Sequence, residues 1–217
     1  FYFQDWSSTG ATLQQAGTSP SGYDEKAVVF IAANAVVQAN YKGHMLSGTS
    51  SAFSTNSQRK VARDEFGRLY MVYESMGYVW LTISSDNGTT WSPEIKLSVN
   101  GSQSKCPSIV AGDDGNGFVY IIFQSEIAPN SLVPGIAVNK YFNGTQYWTQ
   151  AVDYIDSYTY NSNPVIAARG NILYACYKQS SSSYLKGAQI SISGMDVPVV
   201  STPIQIPGST SADLNPS

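Results

Sequence analysis

Ser84-Ser85-Asp86-Asn87-Gly88-Thr89-Thr90-Trp91 follows directly on two strand-like runs, residues 69–73 and 78–83. Those runs are dense in β-branched and aromatic side chains, which fit a pleated and partly buried surface. Asp-Asn-Gly then marks a tight turn. Gly88 reaches positive φ without steric cost, and the Asp86 carboxylate is placed to accept hydrogen bonds from turn amides. Trp91, just past the turn, can fold back as an apolar plug with its indole N–H at the rim. The octet therefore predicts a hairpin in an all-β chain.

Working outward, the run 69–73 proves to be one of three. Arg68-Leu69-Tyr70-Met71-Val72-Tyr73-Glu74, Phe118-Val119-Tyr120-Ile121-Ile122-Phe123-Gln124 and Ile172-Leu173-Tyr174-Ala175-Cys176-Tyr177-Lys178 align without gaps. Tyr70, Tyr120 and Tyr174 coincide, as do Tyr73, Phe123 and Tyr177. Each copy follows a shorter strand (60–63, 107–111, 164–168) and a polar hairpin, and further short strands follow it. A period of about 50 residues with four short strands per unit is the pattern of β-propeller blades. These runs are apolar on both faces, so each sheet is expected to lie between two others.

The fold class read from this is all-β, a β-propeller of four-stranded antiparallel blades. Residues 46–217 form the propeller part, with blades at about 46–100, 101–157 and 158–210 and the start of a further one at 211–217. The outer strands are expected near 94–97, 147–152 and 203–206. Asn143-Gly144 predicts a second turn of the same place and kind. Residues 1–45 match the repeat poorly: 9–23 reads as a Gly/Ser/Thr/Pro-rich loop and 28–45 as two strands. They are a preceding blade, a ring-closing strand or a separate piece. Three blades do not close a ring, which takes roughly four to eight. The chain is then part of a larger propeller, or residues 1–55 supply a divergent fourth blade.

Ser84, Asp86, Gly88, Thr90 and Trp91 spell S-x-D-x-G-x-T-W, which resembles the Asp-box, or BNR repeat, of sialidase-like propellers. Lys42-Gly43-His44-Met45-Leu46-Ser47, Asn56-Ser57-Gln58-Arg59-Lys60 and the run from Val72 to Trp80 are similar to exported bacterial BNR-repeat proteins. The resemblance implies an extracellular or cell-surface protein with a non-catalytic binding or scaffold role, its ligand a glycan or another surface protein. It also implies that the box lies on the face away from the ligand site.

On the opposite face, the strand connections expected to gather are 59–60, 74–77, 100–105, 125–134, 153–162 and 179–184. Arg59 resembles the sialidase arginine that grips a sugar carboxylate, and a guanidinium fork matches a carboxylate bidentately. The other reading of Arg59 is an inter-blade salt bridge with Asp64 or Glu74. No second or third arginine stands at the equivalent positions near Cys106 and Asn163. Lys60 and Glu74 lie beside it in the expected ligand face, and Tyr154, Asp156 and Tyr158 form an aromatic connector suited to stacking on sugars or anchoring a protein. A glycoside hydrolase is the alternative function. It requires two acids about 5–10 Å apart, drawn from Glu74, Glu126, Asp153 and Asp156.

Other classes are excluded or unsupported. A net charge of −3, with scattered Lys and Arg, gives no footprint for nucleic acid. His44 is the only histidine, which removes His-based triads and zinc sites. No cofactor or metal is expected, and Asp113-Asp114-Gly115-Asn116-Gly117 reads as turn chemistry rather than a calcium loop. The apolar run 27–37 is too short to span a bilayer and reads as a buried strand pair. Asn87, Asn100 and Asn143 head formal glycosylation sequons that Asn-Gly turns also explain. Cys106 and Cys176 read as two buried thiols, with a cross-blade disulfide as the other possibility.

Overall fold

A computed structural model of the 217-residue chain describes residues 2–14, 28–42, 58–97, 103–126, 134–147, 153–156, 161–179, 184–192 and 199–209. The chain divides into two compact units, Phe1–Leu46 and Ser47–Ser217.

The first unit is a long antiparallel ribbon. β1 (Tyr2–Gln14) pairs with β2 (Val28–Lys42), from Tyr2 opposite Lys42 to Gln14 opposite Val28. This corrects the sequence reading twice. Residues 9–14 are strand rather than loop, because all of them but Gly10 find a ladder partner on β2. Residues 28–42 form one strand and not two, since Asn34 is absorbed at the irregularity between Thr9 and Ala11, where Gly10 takes φ 74°. Nor is the apolar run uniformly buried: Val36 is 66% exposed.

Among its described residues the second unit contains three antiparallel sheets. The first runs β3 (Val61–Arg63), β4 (Leu69–Ser75), β5 (Tyr78–Ser84), β6 (Ile95–Lys96). The second runs β7 (Ser104–Ala111), β8 (Val119–Glu126), β9 (Pro134–Phe142), β10 (Thr145–Gln146), with β11 (Asp153–Asp156) also on β9. The third runs β12 (Asn161–Arg169), β13 (Ile172–Gln179), β14 (Tyr184–Ser191), β15 (Val199–Val200), with β16 (Ile204–Gln205) also on β14. In the last two sheets the expected single outer strand is therefore two short pieces on opposite halves of the third strand. Residues 148–152, all but the first of the 147–152 expectation, lie outside the described residues.

Alternation of side chains explains the stacking. Tyr70, Val72, Val79 and Leu81 of the first sheet share a core with Ile109, Ile121, Phe123 and Ala137 of the second. The other face of the second sheet, Tyr120, Ile122, Ile136 and Val138, shares a core with Ile166, Leu173, Tyr177 and Ile190 of the third. β8 is buried on both faces because it has a sheet on each side. Full burial of each such aliphatic or aromatic side chain is worth roughly 1.5–3 kcal/mol. The first strands of successive sheets lie side by side, β3 with β7 and β7 with β12. Four-stranded antiparallel sheets stacked face to face, with their first strands gathered together, are the blades of a β-propeller.

The Ser84–Trp91 turn closes by its own hydrogen bonds. The Ser84 hydroxyl donates to Asp86 Oδ1 (2.8 Å) and accepts from the Gly88 amide (2.8 Å). The Thr90 amide (2.8 Å) and hydroxyl (2.5 Å) both donate to the Asp86 carboxylate. These bonds, the Thr90 hydroxyl first, hold the carboxyl down at about 2. Asn87 and Gly88 take φ 57° and 89°, and the Trp91 indole donates to the Gly88 carbonyl (3.1 Å). The Asn143-Gly144 turn has the same handedness, with φ 46° and 82°.

That second turn explains the first repeated tyrosine. The Tyr70 hydroxyl donates to Asp64 Oδ2 (3.1 Å) and accepts from the Asn143 amide of the next sheet (3.1 Å). Arg68 pairs with Asp64 (2.6 Å) and lies over the Phe142 ring, 4.6 Å from its centroid. Together they stitch the turn end of one blade to its neighbour.

Candidate functional site

The opposite end of the stack is built where the first strands begin. β7 and β12 both carry a bulge there, between Lys105 and Ser108 and between Ser162 and Val165. Cys106 and Asn163 take φ 54° and 51°, and each precedes a proline. Left-handed backbone is uncommon for such residues and persists only where the surroundings fix it.

Those surroundings are side chains of the first blade. Gln58, 4% exposed, donates through Nε2 to the Cys106 carbonyl (2.8 Å) and the Pro164 carbonyl (2.9 Å). One amide thus holds the second and third blades to the first. Lys60 donates through Nζ to the Pro107 carbonyl (2.6 Å) and to Gln58 Oε1 (3.1 Å). Glu74 Oε1 accepts from the Cys106 amide (2.5 Å). The Arg59 carbonyl accepts from the Ile109 amide (2.9 Å), pairing the start of the first blade with β7.

Burial sets the electrostatics of this cluster. It pushes the Lys60 ammonium down to about 8, with Cys106 and Glu74 pulling the other way. The Cys106 thiol is pushed up, first by burial and then by the Glu74 carboxylate. Half-buried Lys60 and buried Glu74 therefore frame Cys106. Arg59 is different. Its side chain is exposed and, among the described residues, engaged by no hydrogen bond or ion pair, so the expected bridge to Asp64 or Glu74 is not formed. It lines a cavity of about 800 Å³ whose walls include Ser108, Val165, Tyr174, Cys176 and Ile204. What this arrangement offers a solute is a guanidinium fork beside a largely apolar wall.

The sequence-predicted residues thus divide. Lys60 and Glu74 come together, with Arg59 beside them facing the cavity. Tyr154 and Asp156 lie in β11, opposite Ala137 and Ile136 across a bulge, and their side chains lie outside the described residues. Tyr158 lies outside them altogether. Glu126 takes the Gln103 amide through Oε2 (3.1 Å). The sequence reading did not single out Gln58, Cys106 or Asn163 as a set. The recurring residue-proline pairs 106–107 and 163–164 are the signal that identifies the bulges. Both cysteines are free and half-buried, which corrects the buried placement expected for them.

No protein-family model matches the sequence, and no curated protein matches it. Similar solved structures include an exo-β-1,3-galactanase from Phanerochaete chrysosporium, at 19% identity and a TM-score of 0.43 over 65% of this chain and 33% of that one. A family 117 glycoside hydrolase from Zobellia galactanivorans is 13% identical, with a TM-score of 0.40, over 75% of this chain and 59% of its own. An endo-1,4-β-xylanase from Bacteroides thetaiotaomicron is 13% identical, with a TM-score of 0.43, over 92% of this chain and 72% of its own. The chain thus spans a third of the galactanase and about three-fifths of the family 117 enzyme.

Proposed function

We propose that the chain is a non-catalytic, sialidase-like Asp-box propeller module of an extracellular or cell-surface protein, and that it binds acidic glycans through Arg59. The observation that carries the reading is the contrast between Arg59 and its neighbours. Arg59 alone of the cluster presents its side chain to the cavity, while Glu74 and Glu126 are both engaged by backbone amides. A glycosidase needs one carboxyl poised to donate a proton and another to act as base or nucleophile. Carboxylates already bonded to the main chain serve as braces instead. The hydroxyl geometry of Ser84, Asp86 and Thr90 supports the Asp-box reading, which makes the turn structural and leaves the opposite end for ligand.

The test is titration of the chain with uronic- and sialic-acid oligosaccharides, alongside a fluorogenic sialoside assay. Binding that weakens at least about tenfold in Arg59→Ala, as loss of a charge-assisted bidentate contact requires, with no turnover in either protein, is expected. Turnover abolished by Arg59→Ala would replace this reading with the hydrolase. No binding to any acidic glycan would remove it.

A further inference from the structure

Among the described residues two seams lie between sheets, and they define what the end of one blade asks of the next. In the repeat, Tyr174 and Cys176 of β13 take the places of Tyr70 and Val72 in β4 and of Tyr120 and Ile122 in β8. Tyr70, Val72, Tyr120 and Ile122 are all 0% exposed. Tyr174 is 42% exposed, Ile204 on β16 is 66% exposed, and Cys176 is half-buried. The opposite face of β13, Leu173, Ala175 and Tyr177, is fully engaged with the second blade. The third blade is thus packed on one face and presents an apolar cavity wall on the other.

What covers the corresponding face elsewhere is consistent. β7 lies across β3, β4 and β5, and β12 lies across β7, β8 and β9. The first strand of the following blade, opened by its residue-proline bulge, seals each seam. The sequence carries that pair again, Asn215-Pro216-Ser217, about 50 residues after Asn163-Pro164 and with the Pro-Ser of Pro107-Ser108.

We propose that the Tyr174–Cys176–Ile204 face is a third inter-blade seam, and that its occupant is a fourth blade of the same polypeptide, opened by residues 211–217. The occupant must repeat what β8 and β13 turn back on their predecessors. Its second strand presents an aliphatic, a small or aliphatic and an aromatic residue in alternation, as Val119, Ile121 and Phe123 do, and Leu173, Ala175 and Tyr177. A hydrophobic face of this size left to water would be a site of association. A fourth blade buries it. The inference rests on the repeat and on burial, and stands whether or not Arg59 binds a glycan.

Cys176 reports on the seam. In a Cys106→Ser background, its reaction with a disulfide reagent is compared between the 217-residue chain and the gene product carried through one more repeat. A thiol inside a packed seam reacts only through opening, so the longer protein is expected to react at least about 100-fold more slowly. Tyr174→Glu is expected to leave the 217-residue chain folded, since Tyr174 is 42% exposed there, and to restore the fast reaction in the longer protein. Equal rates in the two proteins would overturn the proposal. So would a discrete dimer of the 217-residue chain, by light scattering, in which Cys176 is already protected, since the occupant would then be a second copy. A gene whose next codons carry no strand of this pattern would also overturn it.

Discussion

Asp86 shows how one exposed carboxylate fixes a turn. Its bonds to Thr90 and Ser84 favour the ionised form and hold its pKa at about 2, against 3.8 for the ordinary side chain. Its contribution is therefore complete above about pH 4 and disappears as pH falls through 2. The melting temperature of Asp86→Asn should lie below that of the parent at pH 7, and the gap should close between pH 4 and 2. A gap independent of pH would place the turn's stability elsewhere. Lys60 is shifted for the opposite reason, since burial opposes its charge. Between about pH 8 and 10.5 the unfolded chain keeps a proton that the folded chain has released, so this residue makes stability rise with pH in that window. Competitive amine labelling read by mass spectrometry should give Lys60 a midpoint near 8. A midpoint at the ordinary 10.5 would show that Lys60 is solvated and not part of the frame.

At the scale of the element, position in the stack decides what identical sequence is worth. Tyr120 is enclosed between two blades, whereas Tyr174, its counterpart, has a blade on one side. Truncating a buried aromatic costs about 3–5 kcal/mol, while truncating an exposed side chain usually changes stability by less than about 0.5 kcal/mol. Tyr120→Ala should approach the first figure in denaturant titration. Tyr174→Ala should cost at most about 1 kcal/mol, because half of its surface already meets solvent. Equal losses would contradict the burial described. This contrast also marks the limit of what the sequence discloses. The Ser84–Trp91 turn, the strands around Tyr70, Tyr120 and Tyr174 and their grouping into sheets were legible because turn chemistry and side-chain alternation are local. The exposure of Tyr174 was not, since it depends on what packs across the sheet. The halved outer strands and the bulges at Cys106 and Asn163 escaped the reading for a related reason: register there is set by partners such as Gln58, far away in sequence. Thr9 to Gln14 misled because small polar residues suit a loop and become strand only when a long partner supplies the ladder.

In the whole molecule, the blades are held at both ends by different chemistry. At the turn end, Tyr70, Asp64 and Arg68 reach the Asn143 turn and Phe142. At the other, Gln58, Lys60 and Glu74 hold the bulges of the next two blades and leave Arg59 facing the cavity. Arg59, Lys60 and Glu74 were legible as a group from their place at the strand connections, although only the structure separates the exposed cation from the two braces. The central claim is that the second blade is sandwiched while the third is covered on one face. Native-state hydrogen exchange, resolved by residue, tests it most directly. The amides of β8 should exchange only through global unfolding, and those of β13 and β14 should exchange through a smaller opening that leaves β8 protected. Exchange of β8 as fast as that of β13, or protection of β14 equal to that of β8, would contradict the stacked arrangement.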